Sequence, residues 1–274
     1  MGSGTALMLL MMMTPVASTQ PTSISRFEQI EEPTVIYHPE SRRFDANDAF
    51  VNITDRGENT IRFTLRYHPD HWDGDRATQN RDRQRAELAG LGPHQKTGES
   101  FHYAMEWRTC PEFLGTDRFC HIFQLKATDG NNGAPLVTVS LKEGRQDGQV
   151  QLWSGASRGS VVVRKFKFTP GEWHRTELVI TTARDGSGAV LTSIDGDELQ
   201  GLSDLPVFRP GASDYRPKWG FYRGTAQTIH EGEDWVEHRN ISAIKLSQRP
   251  VTMPSTARTS APAHEQGERS KRPN

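Results

Sequence analysis

The sequence contains little cysteine, and this scarcity limits its metal and redox chemistry. Only 2 of its 274 residues are cysteines, Cys110 and Cys120. Two thiolates cannot complete a structural zinc site, and their spacing is not that of a zinc knuckle. The two residues instead bracket a loop-like segment between two apolar runs. We therefore expect one disulfide to close this hairpin in an oxidising compartment.

The sequence also lacks an excess of charge of either sign, with 33 Lys and Arg residues against 34 Asp and Glu residues. A general nucleic-acid binder needs a basic excess because it neutralises phosphates. We therefore expect no nucleic-acid partner. The balance still permits an anionic substrate to bind in a locally basic groove.

Long apolar runs are absent from the sequence as well. The apolar run near its start, residues 6–13, is too short to span a bilayer. Small residues follow this run, so we interpret residues 1–18 as a signal peptide. We expect a secreted, extracellular protein that binds no membrane, or a periplasmic one if the host is a Gram-negative bacterium.

The sequence shows no 3.6-residue apolar stripe typical of an amphipathic helix, although we expect a short helix near residues 82–89. Apolar and polar residues alternate instead, first along residues 60–67. The same period of two recurs in residues 101–107, 136–141, 161–168, 177–181, 189–194 and 241–246. Turn signals lie at residues 129–133, 169–171, 185–188 and 195–197. Short strands separated by such turns predict an all-β fold, a two-sheet antiparallel β-sandwich or jelly roll.

The chain is expected to form one domain, because no linker divides residues 25–250. The part between the two ends is roughly 230 residues long, which is ordinary for a β-sandwich. Residues 252–274 are rich in Pro, Ser, Thr, Ala and Arg and lack periodicity, so a disordered tail is expected there. We expect the protein to be a monomer.

Three polar segments stand out as candidates for chemistry, residues 83–88, 121–126 and 214–223. Residues two apart on a strand share a face, so these segments should bring polar side chains together on one open, concave surface. The residues expected to share their strand's polar face are Arg85, Glu87, Gln124, Lys126, Lys218, Gly220 and Tyr222. Trp219 and Phe221 should face the other way and pack on the partner sheet.

These segments resemble the polysaccharide lyases with a concanavalin-like jelly roll, a group that includes alginate lyases, glucuronan lyases and heparin lyase I. That group carries an Arg-x-Glu strand, a Gln-x-His strand and a Tyr-Phe-Lys-x-Gly-x-Tyr strand, in this chain order. Residues 85–87 match the first motif, and residues 215–222 match the third with one extra residue. Gln124 matches the second motif, but Lys126 stands where the histidine is expected.

The resemblance implies an enzyme, a polysaccharide lyase that cleaves a uronic-acid-containing polymer by β-elimination. Such an enzyme removes the proton next to the uronate carboxylate and expels the oxygen at C4. Arg85 and Gln124 would neutralise the carboxylate by donating hydrogen bonds. Tyr222 would act as the acid, or as acid and base both, when nearby cations lower its pKa. The implied partner is an anionic polysaccharide of the glucuronan, alginate or glycosaminoglycan type.

The identity of the base stays open at the level of sequence. Lys126 is one candidate, as a base or as a substrate contact, and a histidine from another strand or a loop is the other. His121 precedes Gln124 by three residues, so we expect it to face the opposite side. The expected substrate-binding residues are Lys218, Glu87, Arg223, Tyr215 and His102.

Two other functions remain alternatives. The same architecture hosts non-catalytic, lectin-like carbohydrate-binding domains, and each polar residue taken singly fits a solvated strand face. A glycoside hydrolase would need two carboxylates across the scissile bond, and the acidic residues 231–237 lack the alternating spacing of jelly-roll hydrolases. We expect no required cofactor and no metal-ligating site. Calcium could bind the oxygen-rich residues 129–132, but turn chemistry explains them equally well.

Overall fold

The structure, a computed structural model, describes residues 53–56, 60–68, 71–72, 74–75, 80–89, 92–113, 115–116, 118–142, 146–155, 159–224 and 232–247. The expected signal peptide (residues 1–18) and tail (residues 252–274) lie outside the described residues, as does the start of the predicted domain. Within the described ranges there is no helix long and apolar enough to cross a membrane.

The described residues form sixteen β-strands. In chain order they are β1 (Ile53–Asp55), β2 (Ile61–His68), β3 (His71–Trp72), β4 (Gly74–Asp75), β5 (Asn80–Ala89), β6 (Gln95–Lys96), β7 (Ser100–Thr109), β8 (Cys120–Ala127), β9 (Val137–Lys142), β10 (Asp147–Leu152), β11 (Val161–Lys167), β12 (His174–Thr181), β13 (Ala183–Ile194), β14 (Gln200–Val207), β15 (Asp214–Gly224) and β16 (Gly232–Lys245).

These strands make two antiparallel sheets that pack face to face. The front sheet has the order β11-β10-β9-β8-β15-β5-β4, with β6 beside β15. The back sheet has the order β1-β2-β16-β7-β12-β13-β14, with β3 beside β2. The predicted two-sheet antiparallel β-sandwich is therefore confirmed. We call the face of each sheet that is turned away from the other sheet its open face.

Large aromatic side chains from both sheets fill the space between them. Tyr103 from the back sheet meets Phe123 and Trp219 from the front sheet, with ring centroids 5.5 Å and 6.3 Å apart. Phe221 is also fully buried, so Trp219 and Phe221 face the core as the alternating pattern predicts. Burying each such side chain stabilises the fold by roughly 1.5–3 kcal/mol.

Each predicted strand lies within or largely overlaps an observed one, but two local expectations are wrong. Residues 82–89 belong to strand β5, because pairing with β15 overrides the helix propensity of these Arg, Gln, Ala, Glu and Leu residues. Residues 185–188 do not end a strand either. Strand β13 continues through them with a register irregularity between Ala183 and Gly188 opposite β14.

Two β-bulges in the front sheet set the arrangement of the site. Along the β15–β8 pair, Trp219 faces Phe123 but Tyr222 faces His121, so β15 carries one extra residue. Along the β8–β9 pair, a second irregularity lies between His121 and Phe123. In β8 the extra residue reverses the alternation of faces beyond it, whereas β15 keeps its alternation from Lys218 to Tyr222 in unbroken register with β5.

Gly220 occupies the bulge of β15 and has a φ of 142°. A Cβ at this position would lie 2.3 Å from the carbonyl oxygen of Ala86 and 2.7 Å from the Cα of Glu87. The close approach of β5 and β15 therefore requires glycine here.

Candidate active site

The open face of the front sheet is polar across the four neighbouring strands β9, β8, β15 and β5. Cross-strand pairing places on this face Arg83, Arg85, Glu87, Arg216, Lys218, Tyr222, His121, Gln124, Lys126, Thr138, Ser140 and Lys142. Among these side chains six are Lys or Arg, and Glu87 carries the one carboxylate. The face is therefore strongly cationic although the whole chain is nearly neutral.

Glu87 lies at the centre of the site and is 1% exposed. Its Oε2 accepts a hydrogen bond from Lys218 Nζ at 2.8 Å, and its Oε1 accepts one from the Gln124 amide. Arg85 Nε lies 3.5 Å from Oε2. Burial by itself raises the pKa of Glu87, but Lys218 and Arg85 reverse this and hold the pKa below its ordinary value. Glu87 is thus a buried anion that organises the groups around it.

Lys218 is 1% exposed, so its ammonium group lies beneath the surface of the site. The pKa of Lys218 is lowered to about 7, chiefly by burial; the charge of Glu87 opposes this shift, and the charges of Arg85 and Lys126 add to it. The sequence predicts Lys218 as a substrate contact. In the structure its ammonium group instead contacts Glu87.

Tyr222 is packed on several sides and is 8% exposed. The guanidinium carbon of Arg85 lies 4.0 Å from the centre of its ring, a cation–π contact. Its hydroxyl oxygen accepts a hydrogen bond from Arg83 Nη1 at 3.3 Å. The ring of Phe119 lies 4.8 Å away and that of His121 6.0 Å away. These contacts fix the phenol beside the cations of the site.

His121 joins the site, contrary to the expectation that it faces the opposite side from Gln124. The bulge in β8 reverses the alternation, so the two residues share the open face although they are three apart. His121 Nδ1 and Ser140 Oγ are 2.7 Å apart. Gly220 within β15 is a sequence signal for the bulge there. The chain around His121 carries no comparable signal for the bulge in β8.

The hydrogen bonds around Ser140 bear on the tautomer of His121, because either atom of the Nδ1–Oγ pair can be the donor. The Ser140 hydroxyl lies 3.3 Å from Thr138 Oγ1 and 3.4 Å from Gln151 Oε1, to either of which it can donate. When Ser140 donates to one of these oxygens, it accepts from His121 Nδ1–H, and the lone pair of the imidazole is then on Nε2. Burial lowers the pKa of His121 to about 3, so the imidazole is neutral near pH 7.

Lys126 lies on the same face but at the far end from Tyr222. Its cross-strand partner on β15 is Arg216, whereas the partner of Tyr222 is His121. At the rise of a β-strand, this separation is roughly 15 Å. His121 is therefore nearer to Tyr222 along the sheet than Lys126 is.

The structure places three of the expected substrate-binding residues outside the site. Tyr215 and Arg223 are odd-numbered members of β15 and point away from the open face, at 0% and 1% exposure. The Tyr215 hydroxyl accepts from the backbone N–H of Arg209 at 3.0 Å, and Arg223 donates to Gln84 at 2.9 Å. His102 lies on β7 of the back sheet. The expected substrate-binding role is therefore wrong for all three residues: Tyr215 and Arg223 are on the other face of β15, and His102 is on the other sheet.

The two cysteines are buried free thiols, so the expected disulfide is not formed in the structure. Cys110 Sγ donates to Asp234 Oδ1 at 3.4 Å instead of bonding to Cys120. Burial raises the pKa of the Cys110 thiol to about 12 and raises that of Cys120 as well, which keeps both sulfurs protonated and unreactive.

The oxygen-rich residues 129–132 are used by protein donors. Asp129 accepts from the backbone N–H of Ser213 at 2.9 Å and from its hydroxyl at 2.7 Å. Asn131 Oδ1 accepts from Arg209 Nη2 at 3.1 Å. Turn chemistry therefore accounts for this segment. In the part of the chain that the structure describes, no group of three or more His, Cys, Asp or Glu residues could hold a metal ion.

Fold and site together define a β-sandwich protein with an open, cationic face across four strands of its front sheet. Residues 34–238 match the family model described as polysaccharide lyase. This match covers most of the chain, and the chain belongs to the polysaccharide lyase family. The predicted enzyme class, a lyase, is confirmed.

Solved structures with the same fold support the jelly-roll form of the sandwich. An endo-β-1,4-glucuronan lyase from the fungus Trichoderma reesei is 17% identical, with a TM-score of 0.55 over 70% of this chain and 83% of that one. The family 7 alginate lyase A1-II′ in complex with a GGMG substrate is 14% identical, with a TM-score of 0.53 over 74% and 84%. The alginate lyase Aly36B is 13% identical, with a TM-score of 0.52 over 72% and 85%. A search of curated proteins gives no match.

Proposed function

We propose that the protein cleaves a uronic-acid-containing polysaccharide by β-elimination on the open face of the front sheet. One observation carries this proposal: Tyr222 lies among Arg83, Arg85 and a neutral His121, and the described side chains of the four strands around it include six cations and one carboxylate. Polyanionic substrates need such a face. The similarly folded enzymes that act on glucuronan and alginate support this choice of substrate class.

Neutralising the uronate carboxylate falls to Arg85 and Gln124. Glu87 accepts one N–H of the Gln124 amide and leaves the second for the substrate. Lys218 Nζ lies 2.8 Å from Glu87 Oε2 and Arg85 Nε lies 3.5 Å from it, so Lys218 is the main counter-ion of Glu87. The charge of Arg85 can then act on the substrate carboxylate. The buried Glu87 thus holds both donors in place before the substrate binds, as electrostatic stabilisation of a developing enolate requires.

The proton transfers fall to His121 and Tyr222. His121 Nε2 takes the proton from C5, the C4–O bond breaks as the C4–C5 double bond forms, and the Tyr222 hydroxyl protonates the leaving oxygen. Solvent then returns a proton to Tyr222 and removes one from His121. Lys126, at the far end of the face, contacts a neighbouring sugar.

The test is to incubate the protein with glucuronan, alginate, heparin-type and pectic polymers and to follow the ultraviolet absorbance of unsaturated uronates. Tyr222→Phe removes only a hydroxyl, so turnover should fall by roughly 100- to 10,000-fold while binding stays nearly unchanged. A Tyr222→Phe protein that cleaves at the wild-type rate would remove Tyr222 from the mechanism. Binding without cleavage by the wild type would support the lectin-like alternative instead.

Two further variants separate the candidate bases. His121→Gln should lower kcat about as much as Tyr222→Phe, whereas Lys126→Ala should mainly raise KM. The opposite pattern would make Lys126 the base. Activity should also persist after treatment with a chelator, since the proposed steps need no cofactor.

We also propose that the protein is secreted as a monomer. The apolar residues 6–13 and the small residues that follow them support cleavage of a signal peptide near residue 18. Mass spectrometry of protein from the culture medium should find an N-terminus near residue 19, and light scattering should give the mass of one chain. An intact leader on cell-associated protein would contradict the proposal.

A further inference from the structure

The open face of the back sheet carries arginines and tryptophans that alternate in space. The guanidinium carbon of Arg62 lies 3.9 Å from the ring centre of Trp235. That of Arg108 lies 5.9 Å from Trp235 and 4.7 Å from Trp173. Arg239 completes the row, 4.0 Å from Trp173. We call these five residues the arginine–tryptophan ladder, and it is on the opposite side of the sandwich from the candidate active site.

Carboxylates fix the ladder from below. Glu237 accepts from Arg62 at 2.8 Å and from Arg108 at 2.6 Å, and its side chain is 1% exposed. Glu106 accepts from Arg239 at 2.7 Å and is 20% exposed. The arginine side chains are 22% to 34% exposed. Glu237 therefore lies beneath the arginines, whose side chains reach solvent.

Two more arginines extend this cationic layer. Arg56 lies 3.9 Å from Glu237 and its side chain is 50% exposed. Arg175 lies 2.8 Å from Glu177 and 3.7 Å from Glu106 and is 42% exposed. The five arginines of the ladder and its extension face three carboxylates, Glu106, Glu177 and Glu237. The group therefore has a net charge of +2, because the three carboxylates do not neutralise all five arginines.

The order of the ladder favours a linear polyanion as its ligand. Stacking on indole rings and pairing with Glu237 and Glu106 hold the guanidinium groups in place, so little side-chain entropy is lost on binding. Arg62 on β2 and Arg108 on β7 lie opposite each other across Glu237 of β16, two strand spacings of ~4.8 Å apart, and Arg239 lies two residues further along β16. A row of planar, forked donors suits successive carboxylates of an extended chain.

We propose that the arginine–tryptophan ladder, with Arg56 and Arg175, is a second, non-catalytic binding surface for the acidic polysaccharide. The choice of polymer rests on the proposed function. Two surfaces on one protein raise the effective concentration of a long polymer at the active site, whereas a short oligosaccharide cannot span both. The ladder therefore acts on polymers only.

The test compares Arg175→Gln/Arg239→Gln with the matched control Lys96→Gln/Lys245→Gln. Each double variant removes two exposed, carboxylate-paired cations, and the control residues lie away from the ladder. Affinity electrophoresis in glucuronan and in alginate measures binding, in a Tyr222→Phe background that prevents cleavage. Kinetics on polymer and on a short oligosaccharide are measured with Tyr222 intact.

The ladder variant should bind polymer about tenfold more weakly than the control, with a higher KM on polymer and an unchanged kcat/KM on the oligosaccharide. Equal polymer binding by both variants would overturn the inference while leaving the proposed function intact. Equal losses on polymer and oligosaccharide would overturn it too. Weaker binding to duplex DNA but not to either polysaccharide would assign the ladder to a different partner. If no polymer is cleaved, the binding comparison still decides whether the ladder holds polyanions.

Discussion

Replacing Glu87 with Gln should expose how much of the site depends on one buried charge. The substitution keeps the shape of the side chain but removes its negative charge. Glu87 is 1% exposed, Lys218 is 1% exposed and Arg85 is 6% exposed, so solvent cannot compensate for the lost partner. The variant would leave Lys218 buried beside Arg85 and Lys126 without a counter-ion.

The magnitude follows from the burial of the pair. Removing one partner of a buried, hydrogen-bonded ion pair destabilises a protein by about 3–5 kcal/mol. The matched control is Glu99→Gln, which breaks the pair with Lys245, whose side chain is 60% exposed. Such an exposed pair contributes about 0–1 kcal/mol. The difference between the two variants should therefore be several kcal/mol.

A double variant separates stability from function. Glu87→Gln/Lys218→Met removes both charges, and a neutral, well-packed replacement of a buried ion pair is often neutral in stability. The free energy of unfolding should then recover most of the loss. Turnover should not recover, because Gln124 and Arg85 lose the carboxylate that orients them.

Urea unfolding at pH 6, where Lys218 is mostly charged, measures the first effect, and the rate of formation of unsaturated uronates measures the second. A loss below 1 kcal/mol in Glu87→Gln would show that Glu87 is not an ionised partner of Lys218. Recovery of turnover in the double variant would refute the role of Glu87 in orienting the two donors.

Three other outcomes are expected. The pKa of Lys218 is lowered to about 7 against 10.5 for an ordinary lysine, so the unfolded chain binds the extra proton between these values. The contribution of Lys218 to the free energy of unfolding should therefore increase between pH 7 and 10.5. The urea midpoint of wild type should show this increase and that of Lys218→Met should not. The same pH dependence of the midpoint in both proteins would contradict the prediction. Gly220→Ala should destabilise the protein more than Gly232→Ala does. Both glycines have a φ near 140°, but only at Gly220 would the added Cβ lie within 3 Å of backbone atoms. Equal urea midpoints of the two variants would disprove the clash. Thiol titration without reductant should find two reactive thiols after unfolding and almost none before, whereas none after unfolding would restore the disulfide.

Much of the fold was predictable because alternation is a local property. A strand that buries one face needs apolar residues at every second position, and residues 60–67 and 101–107 show this pattern within a single segment. The same rule placed Lys218 and Tyr222 on one face and Trp219 and Phe221 on the other, as observed. Applied consistently, it would also have excluded Tyr215 and Arg223 from the site.

The sequence by itself determined the strands, the polar face of β15 and the residue types that an acidic substrate requires. Only the tertiary structure decided between the helix and the strand that the sequence suggested for residues 82–89, because β15 supplies the hydrogen bonds of the strand. It also decided that His121 belongs to the site, because the bulge that turns its side chain arises where β8, β9 and β15 pair. Both features depend on pairing with strands that are distant in the chain, and a local sequence pattern does not predict such pairing.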